Sequence, residues 1–214
     1  MSESKIIATP EELHLAEKFR QWRKSPVRFV REVIWAEPSN QQTEALEVIG
    51  HMVNGRRKRS KGEKLTGAEE KVVDKIGITI RSGRGPGKDA WVSWVSWWFL
   101  MLWRVDNDPP KLVVTAPSAK QIRDVYWSEM ALWKSKATIP GLFRFFEQQS
   151  ELIYGKEDKL NWFLSARVCN VKGDATEQAG VLGGLHAPYM LLIVDEASDV
   201  PTGVFSPLEG TLTG

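Results

Sequence analysis

Ser82-Gly83-Arg84-Gly85-Pro86-Gly87-Lys88-Asp89 is the stretch that decides the fold of this chain. Its glycines allow the backbone to turn tightly around an anion, and the N–H groups that open the following helix point towards that anion. Lys88 adds a positive charge. The usual phosphate-binding pattern is a glycine, four residues, a glycine, a lysine and then a serine or threonine, so that Ser82 and Asp89 are departures from it. We expect a phosphate-binding loop.

A second signal is the apolar run Met190 to Val194, which ends in Asp195 and Glu196. Such a run predicts a strand buried on both faces. Neighbouring strand residues point to opposite sides, so the two carboxylates are expected to differ in role. Asp195 is expected to hold Mg²⁺ and Glu196 to act on the attacking water as general base. The alternative is a solvated acidic turn after a strand.

Asp89 occupies the position where the usual pattern has a hydroxyl group. Its carboxylate could ligate Mg²⁺ directly or through a water molecule, but it would also lie beside a polyphosphate. With Lys88 and the loop, the two signals predict binding and hydrolysis of a nucleoside triphosphate with Mg²⁺; the resemblance given below implies ATP. Asp195 and Asp89 are the candidate metal ligands.

The surrounding pattern predicts an α/β fold. Residues 76–80 alternate as a strand before the loop, and the segment after it has apolar residues at helical spacing. Lys111 to Ala116 is predicted as a strand, followed by a helix from Ser118 to about Ser135. Glu151–Tyr154 and 161–170 are predicted as an antiparallel pair. We therefore expect a mostly parallel sheet with helices on both faces.

The chain before this core has the signals of a small helical region. Thr9-Pro10-Glu11-Glu12 opens a helix to about Lys24, and a further helix is expected over about 41–53. A capping box beginning at Thr66 opens a short helix. The predicted division is a helical region with a basic loop over residues 1–65 and the core over residues 66–214.

Composition and charge restrict the class of protein. The 214 residues carry a net charge of +2, with 42% hydrophobic residues and one cysteine, so one core is expected and an internal disulfide is excluded. No apolar stretch reaches the length of a membrane span, and a cytoplasmic setting is expected. The ten tryptophans are expected in the core rather than in base stacking.

Basic residues concentrate in the segment from Gly55 to Lys64. Local charge of this density can neutralise backbone phosphates and give salt-dependent binding of nucleic acid; a solvated loop is the alternative. The candidate nucleic-acid contacts are Arg56, Arg57, Lys58 and Arg59.

The order of a helical lead, Gln41-Gln42, the glycine loop with Arg84, Thr115-Ala116-Pro117-Ser118 and Asp195-Glu196 resembles the ATPase domain of tailed-phage terminase large subunits, over nearly the whole sequence. The resemblance implies a P-loop NTPase fold of the ASCE, RecA-like type. It implies that Gln42 contacts adenine, that Ser82, Gly83, Arg84, Gly85, Pro86, Gly87, Lys88 and Asp89 bind the nucleotide, and that Glu196, Lys88 and Arg84 serve catalysis. Thr211 and Thr213 match its coupling motif weakly.

The resemblance also implies partners. Double-stranded DNA, a terminase small subunit and the portal of a procapsid are expected, with a homo-oligomeric ring in the host cytoplasm and no membrane. The carboxyl-terminal nuclease domain of that family is expected to be absent from this chain. An arginine offered to a neighbouring subunit could be Arg84, Arg144 or Arg167, or none. The alternatives are a helicase-like ATPase and a catalytically weak nucleic-acid-binding assembly module.

Overall fold

The structure, a computed structural model, describes residues 9–81, 87–105, 107–169, 180, 186–200 and 203. The amino-terminal part is helical: α1 spans Pro10–Lys24, α2 Pro26–Phe29, α3 Asn40–Ser60 and α4 Gly67–Val72. A π-helical turn, Val30–Ile34, continues α2. The predicted capping box at Thr9 is present and α1 has its predicted bounds, because Pro10 and the two following glutamates favour a helix start.

The remainder combines helices with a sheet. The helix after the glycine loop, α5, spans Lys88–Leu102, and α6 spans Trp127–Lys136 after a π-helical turn at Gln121–Tyr126. A 3-10 turn, Pro140–Phe145, precedes the first of the antiparallel strands. The strands are β1 Lys111–Ala116, β2 Phe146–Gln149, β3 Leu152–Gly155, β4 Phe163–Val168 and β5 Met190–Val194.

The sheet is mixed, with the strand order β2-β3-β4-β1-β5. The strands β4, β1 and β5 are parallel, so that Thr115 of β1 lies between Arg167 and Val194. The strands β2, β3 and β4 are antiparallel, which confirms the predicted pair β3–β4. Since parallel strands end at a common edge, β1 and β5 bring their carboxyl-terminal residues together.

The helix α5 is the centre of the core. Eleven of its residues, including Trp94 and Trp98, are buried, so that it is apolar on all sides. The indole of Trp98 donates to the carbonyl of Trp22 in α1 at 2.9 Å, and that of Trp97 donates to Met130 in α6 at 3.1 Å. These tryptophans therefore pack the interior, as the sequence predicts. One apolar core contains residues from both sides of residue 65, and the proposed boundary there stays a prediction.

Three local expectations are wrong. Residues 77–81 belong to no strand and are mostly exposed, because the carbonyls of Lys75 and Ile76 are held by Arg56 instead of a sheet neighbour. The basic segment begins inside α3, which continues to Ser60 and packs Gly55 against α4. The strand β5 is half-exposed rather than buried on both faces, because it lies at the edge of the described sheet.

Candidate functional site

A cleft of about 880 Å³ opens at the carboxyl-terminal edge of β5. Its walls are β5, the extended segment 76–81, one face of α3 from its first turn to Arg56, and the first two turns of α5. Gln42, Gly87, Lys88, Asp195 and Glu196 all line it. Its volume is in the range of clefts that hold cofactor-sized ligands.

Gly87 closes the glycine loop and caps α5. Its φ of +77° lies in the left-handed region, which favours glycine, and an added Cβ would lie 2.7 Å from Nε2 of Gln42 and displace that amide. The helix places its positive dipole end and the side chain of Lys88 at the cleft. An anion in the cleft would therefore face backbone N–H groups and an ammonium group.

The carboxylates after β5 lie opposite Lys88. Nζ of Lys88 is 3.7 Å from Oε1 of Glu196, with both side chains partly exposed. The backbone N–H of Asp195 donates to the carbonyl of Thr115 at 2.9 Å, which extends the sheet pairing by one residue. Glu196 then adopts a left-handed conformation, with φ of 46°. This turn separates the directions of the two carboxylates and presents both at the cleft.

The negative charge at this edge exceeds what Lys88 compensates. Burial is the main cause that raises the pKa of Asp195 above its ordinary value, and the nearby charges of Asp89 and Glu196 act in the same direction. The N–H of Glu196, which donates to Oδ1 of Asp195 at 3.0 Å, and the charge of Lys88 oppose this shift. The two carboxylates of Asp195 and Glu196 beside one lysine at the cleft could bind a cation together with an anion.

The amide of Gln42 already has two partners. Its Oε1 accepts from the N–H of Ser39 at 2.9 Å, which completes a capping box at the start of α3. Its Nε2 donates to the carbonyl of Gly87 at 2.9 Å. The structure therefore brings Gln42 to the loop, as expected, and joins it to the backbone there.

The four basic residues of the predicted nucleic-acid contact do not point freely into solvent. Ion pairs join Arg57 to Glu63 at 3.2 Å, Lys58 to Glu69 at 2.7 Å and Arg59 to Asp74 at 2.6 Å. Arg56 donates to the carbonyls of Lys75 and Ile76 at 2.6 and 3.4 Å. These residues connect α3 to the segment that leads to the loop, a role that the sequence analysis missed.

Several predicted residues lie outside the described residues: Ser82, Gly83, Arg84, Gly85, Pro86, Thr211 and Thr213. In the part of the chain that the structure describes, no group of three histidine, cysteine, aspartate or glutamate side chains is arranged to hold a metal ion. None of the described helices is long and apolar enough to cross a membrane.

Comparison with known proteins gives one informative similarity. The chain is 27% identical over 138 residues to a protein of Enterobacteria phage P7 named "Probable terminase, large subunit". The match covers 64% of this chain and 26% of that protein, so the chain spans about a quarter of the relative's length. No family model matches. No solved structure matches either. The chain is thus distantly similar to a phage terminase large subunit.

Proposed function

We propose that this chain is an ATP-hydrolysing motor domain of a viral DNA-packaging terminase, with a P-loop NTPase fold. The observation that carries the proposal is the convergence of Lys88, at the amino terminus of α5, with Asp195 and Glu196, at the end of β5, in one cleft. A triphosphate requires a cationic, N–H-rich cradle beside a carboxylate for Mg²⁺ and a second carboxylate for water. Lys88 with the first turn of α5, Asp195 and Glu196 are the proposed candidates for these groups.

In the proposed mechanism the protein works by positioning and electrostatics. Lys88 and the N–H groups of α5 bind the β- and γ-phosphates. Asp195, supported by Asp89, would hold Mg²⁺, which would neutralise charge on the phosphates. Glu196 accepts a proton from the attacking water and orients it. The raised pKa of Asp195 fits this assignment, because a bound cation would offset both the burial of its charge, which is the main cause, and the nearby negative charges of Asp89 and Glu196.

The packaging role is supported by the similarity to the phage P7 protein. Under the proposal, hydrolysis moves double-stranded DNA into a procapsid, with a terminase small subunit and the portal as partners and a ring of copies around the DNA. The Arg56–Arg59 segment would bind DNA only after exchanging its present carboxylate partners for phosphates. This exchange predicts a salt-dependent DNA affinity.

The direct test is phosphate release by the purified chain with Mg²⁺ and ATP, in the parent, Lys88→Ala and Glu196→Ala. Lys134→Ala and Glu147→Ala, which change exposed residues away from the cleft, are the matched controls. The proposal requires turnover in the parent and both controls that exceeds turnover in the two cleft variants. Equal background rates in all five proteins would exclude ATP hydrolysis by this chain.

Two other functions would give different results in measurements of ATP hydrolysis, DNA binding and duplex unwinding. An inactive nucleic-acid-binding module would bind DNA without turnover, an alternative that Asp89 in the hydroxyl position favours. A helicase-like ATPase would hydrolyse ATP and unwind a forked duplex as an isolated protein. A packaging motor is expected to hydrolyse ATP and leave the fork paired.

A further inference from the structure

The segment from Ile76 to Gly87, which contains the glycine loop, is fastened to α3 at both of its ends. Arg56, near the end of α3, holds the carbonyls of Lys75 and Ile76, and Gln42, in its first turn, holds the carbonyl of Gly87. No strand pairing fixes residues 75–81 in the structure. Thus two side chains of α3, Arg56 and Gln42, make the described contacts at the two ends of this segment.

The spacing of these two contacts shows what they constrain. Gln42 and Arg56 are 14 residues apart in one helix, which places them roughly 21 Å apart along its axis. The 11 residue steps from Ile76 to Gly87 could extend over about 36 Å. The two side chains thus limit where the described ends of this segment lie.

The geometry of Gln42 assigns each atom of its amide. The N–H of Ser39 can only donate, so Oε1 is the acceptor and Nε2 must be the group that donates to Gly87. The carbonyl of Gly87 also accepts from the N–H of Trp91 at 3.1 Å, within the first turn of α5. Gln42 therefore contacts the residue that sets the direction of the N–H groups at the phosphate end of the cleft.

We propose that Gln42 is a positioning residue, assisted by Arg56, that fixes the exit of the phosphate loop and does not read the nucleotide base. The inference rests on the proposed function and departs from the adenine contact implied by the family resemblance. If Gln42 acts through Gly87, its loss weakens every triphosphate equally, since the phosphates are what the loop holds. If it reads adenine, its loss weakens only adenine nucleotides.

The experiment measures by calorimetry the affinities for Mg-ATP, Mg-GTP and tripolyphosphate in the parent, Gln42→Ala and Gln42→Glu. The glutamate variant retains an acceptor for Ser39 and so the cap of α3, but it cannot donate to Gly87. Gln148→Ala, at an exposed position of β2 on the far edge of the sheet, is the control. In Gln42→Ala we expect all three affinities to fall by the same factor, about 3- to 10-fold, the effect of one neutral hydrogen bond. In Gln42→Glu we expect a larger fall, again equal for the three ligands, because the new carboxylate also repels the phosphates.

A loss confined to Mg-ATP, or no loss for any ligand, would overturn the positioning role. Hydrogen exchange of the nucleotide-free protein separates this result from failure of the proposed function. Gln42→Ala should speed exchange at residues 87–91, and Arg56→Ala should speed it at 76–81, whether or not nucleotide binds. Unchanged exchange in both variants would also overturn the proposal. A parent that binds none of the ligands yet shows the exchange effect would refute the ATPase function alone.

Discussion

Asp195→Asn should stabilise the nucleotide-free protein while abolishing its hydrolysis of ATP. Asparagine keeps an oxygen acceptor for the N–H of Glu196 and leaves the backbone bond from residue 195 to Thr115 in place. It removes one of the two carboxylates, those of Asp195 and Glu196, that interact with the charge of Lys88. The substitution therefore relieves the burial of a charge and like-charge repulsion without removing a contact of the fold.

The expected gain is about 0.5–2 kcal/mol, the usual range for relieving unfavourable charge. In a chain of this size this raises Tm by roughly 1–8 °C. The gain should depend on pH. Because the pKa of Asp195 is raised in the folded state, its ionised form opposes folding above that pKa, and this cost disappears as the pH falls through it. The variant should thus exceed the parent at pH 7 and approach it near pH 4.

The assays are thermal unfolding without nucleotide and phosphate release with Mg²⁺ and ATP. Asp199→Asn, the same chemical change at an exposed position three residues beyond Glu196, is the control and should alter neither. A lower Tm in Asp195→Asn at pH 7 would refute the charge argument. Retained hydrolysis would show that Asp195 does not hold the metal ion.

Three further predictions concern single side chains. Glu196→Gln should lower kcat by about 10²- to 10⁴-fold with little change in ATP affinity, measured by phosphate release and calorimetry; equal losses in both would contradict a general base. Lys88→Ala should weaken binding of an ATP analogue at least tenfold, the effect of a charge-assisted hydrogen bond of about 1.5–3 kcal/mol, and unchanged affinity would remove Lys88 from the site. Glu69→Ala should destabilise the fold by about 2–4 kcal/mol, because the carboxylate caps α4 and pairs with Lys58. Urea unfolding measures this, and a loss below about 1 kcal/mol would contradict it.

Much of the helical structure could be predicted because its signals are local. The capping boxes at Thr9 and Thr66 and the cap at Ser118 depend on residues three positions apart, and all three are formed. The strands β1 and β5 follow from uninterrupted apolar runs. Their adjacency, which places Asp195 beside Thr115, also agrees with the predicted parallel arrangement.

The failures have a common cause, which is competition from distant residues. Residues 76–80 alternate like a strand, but a guanidinium from α3 takes the carbonyls that open this segment. The basic segment has the composition of a solvated loop, yet carboxylates on and after α4 pair with its side chains and allow the helix to continue. Neither contact has a periodic signal in the sequence, because the partners lie 11 to 20 residues away.

The residues that meet in the candidate site were predictable from the sequence, but the hydrogen bonds among the elements around it were less so. Lys88, Asp195 and Glu196 meet in one cleft, as the two sequence signals require. The hydrogen bond from the side-chain amide of Gln42 to the carbonyl of Gly87 could not be predicted. A glutamine at this position fits a surface residue or a base contact equally well. The β2 strand was also missed, because Phe146–Gln149 is short and mostly polar.

The most direct measurement of the central claim is a structure of the chain with a non-hydrolysable ATP analogue and Mg²⁺. We predict the β- and γ-phosphates against Lys88 at the amino terminus of α5, and the metal ion bound by Asp195 next to them. An analogue bound away from this cleft, or a metal ion without a carboxylate from the end of β5, would contradict the account.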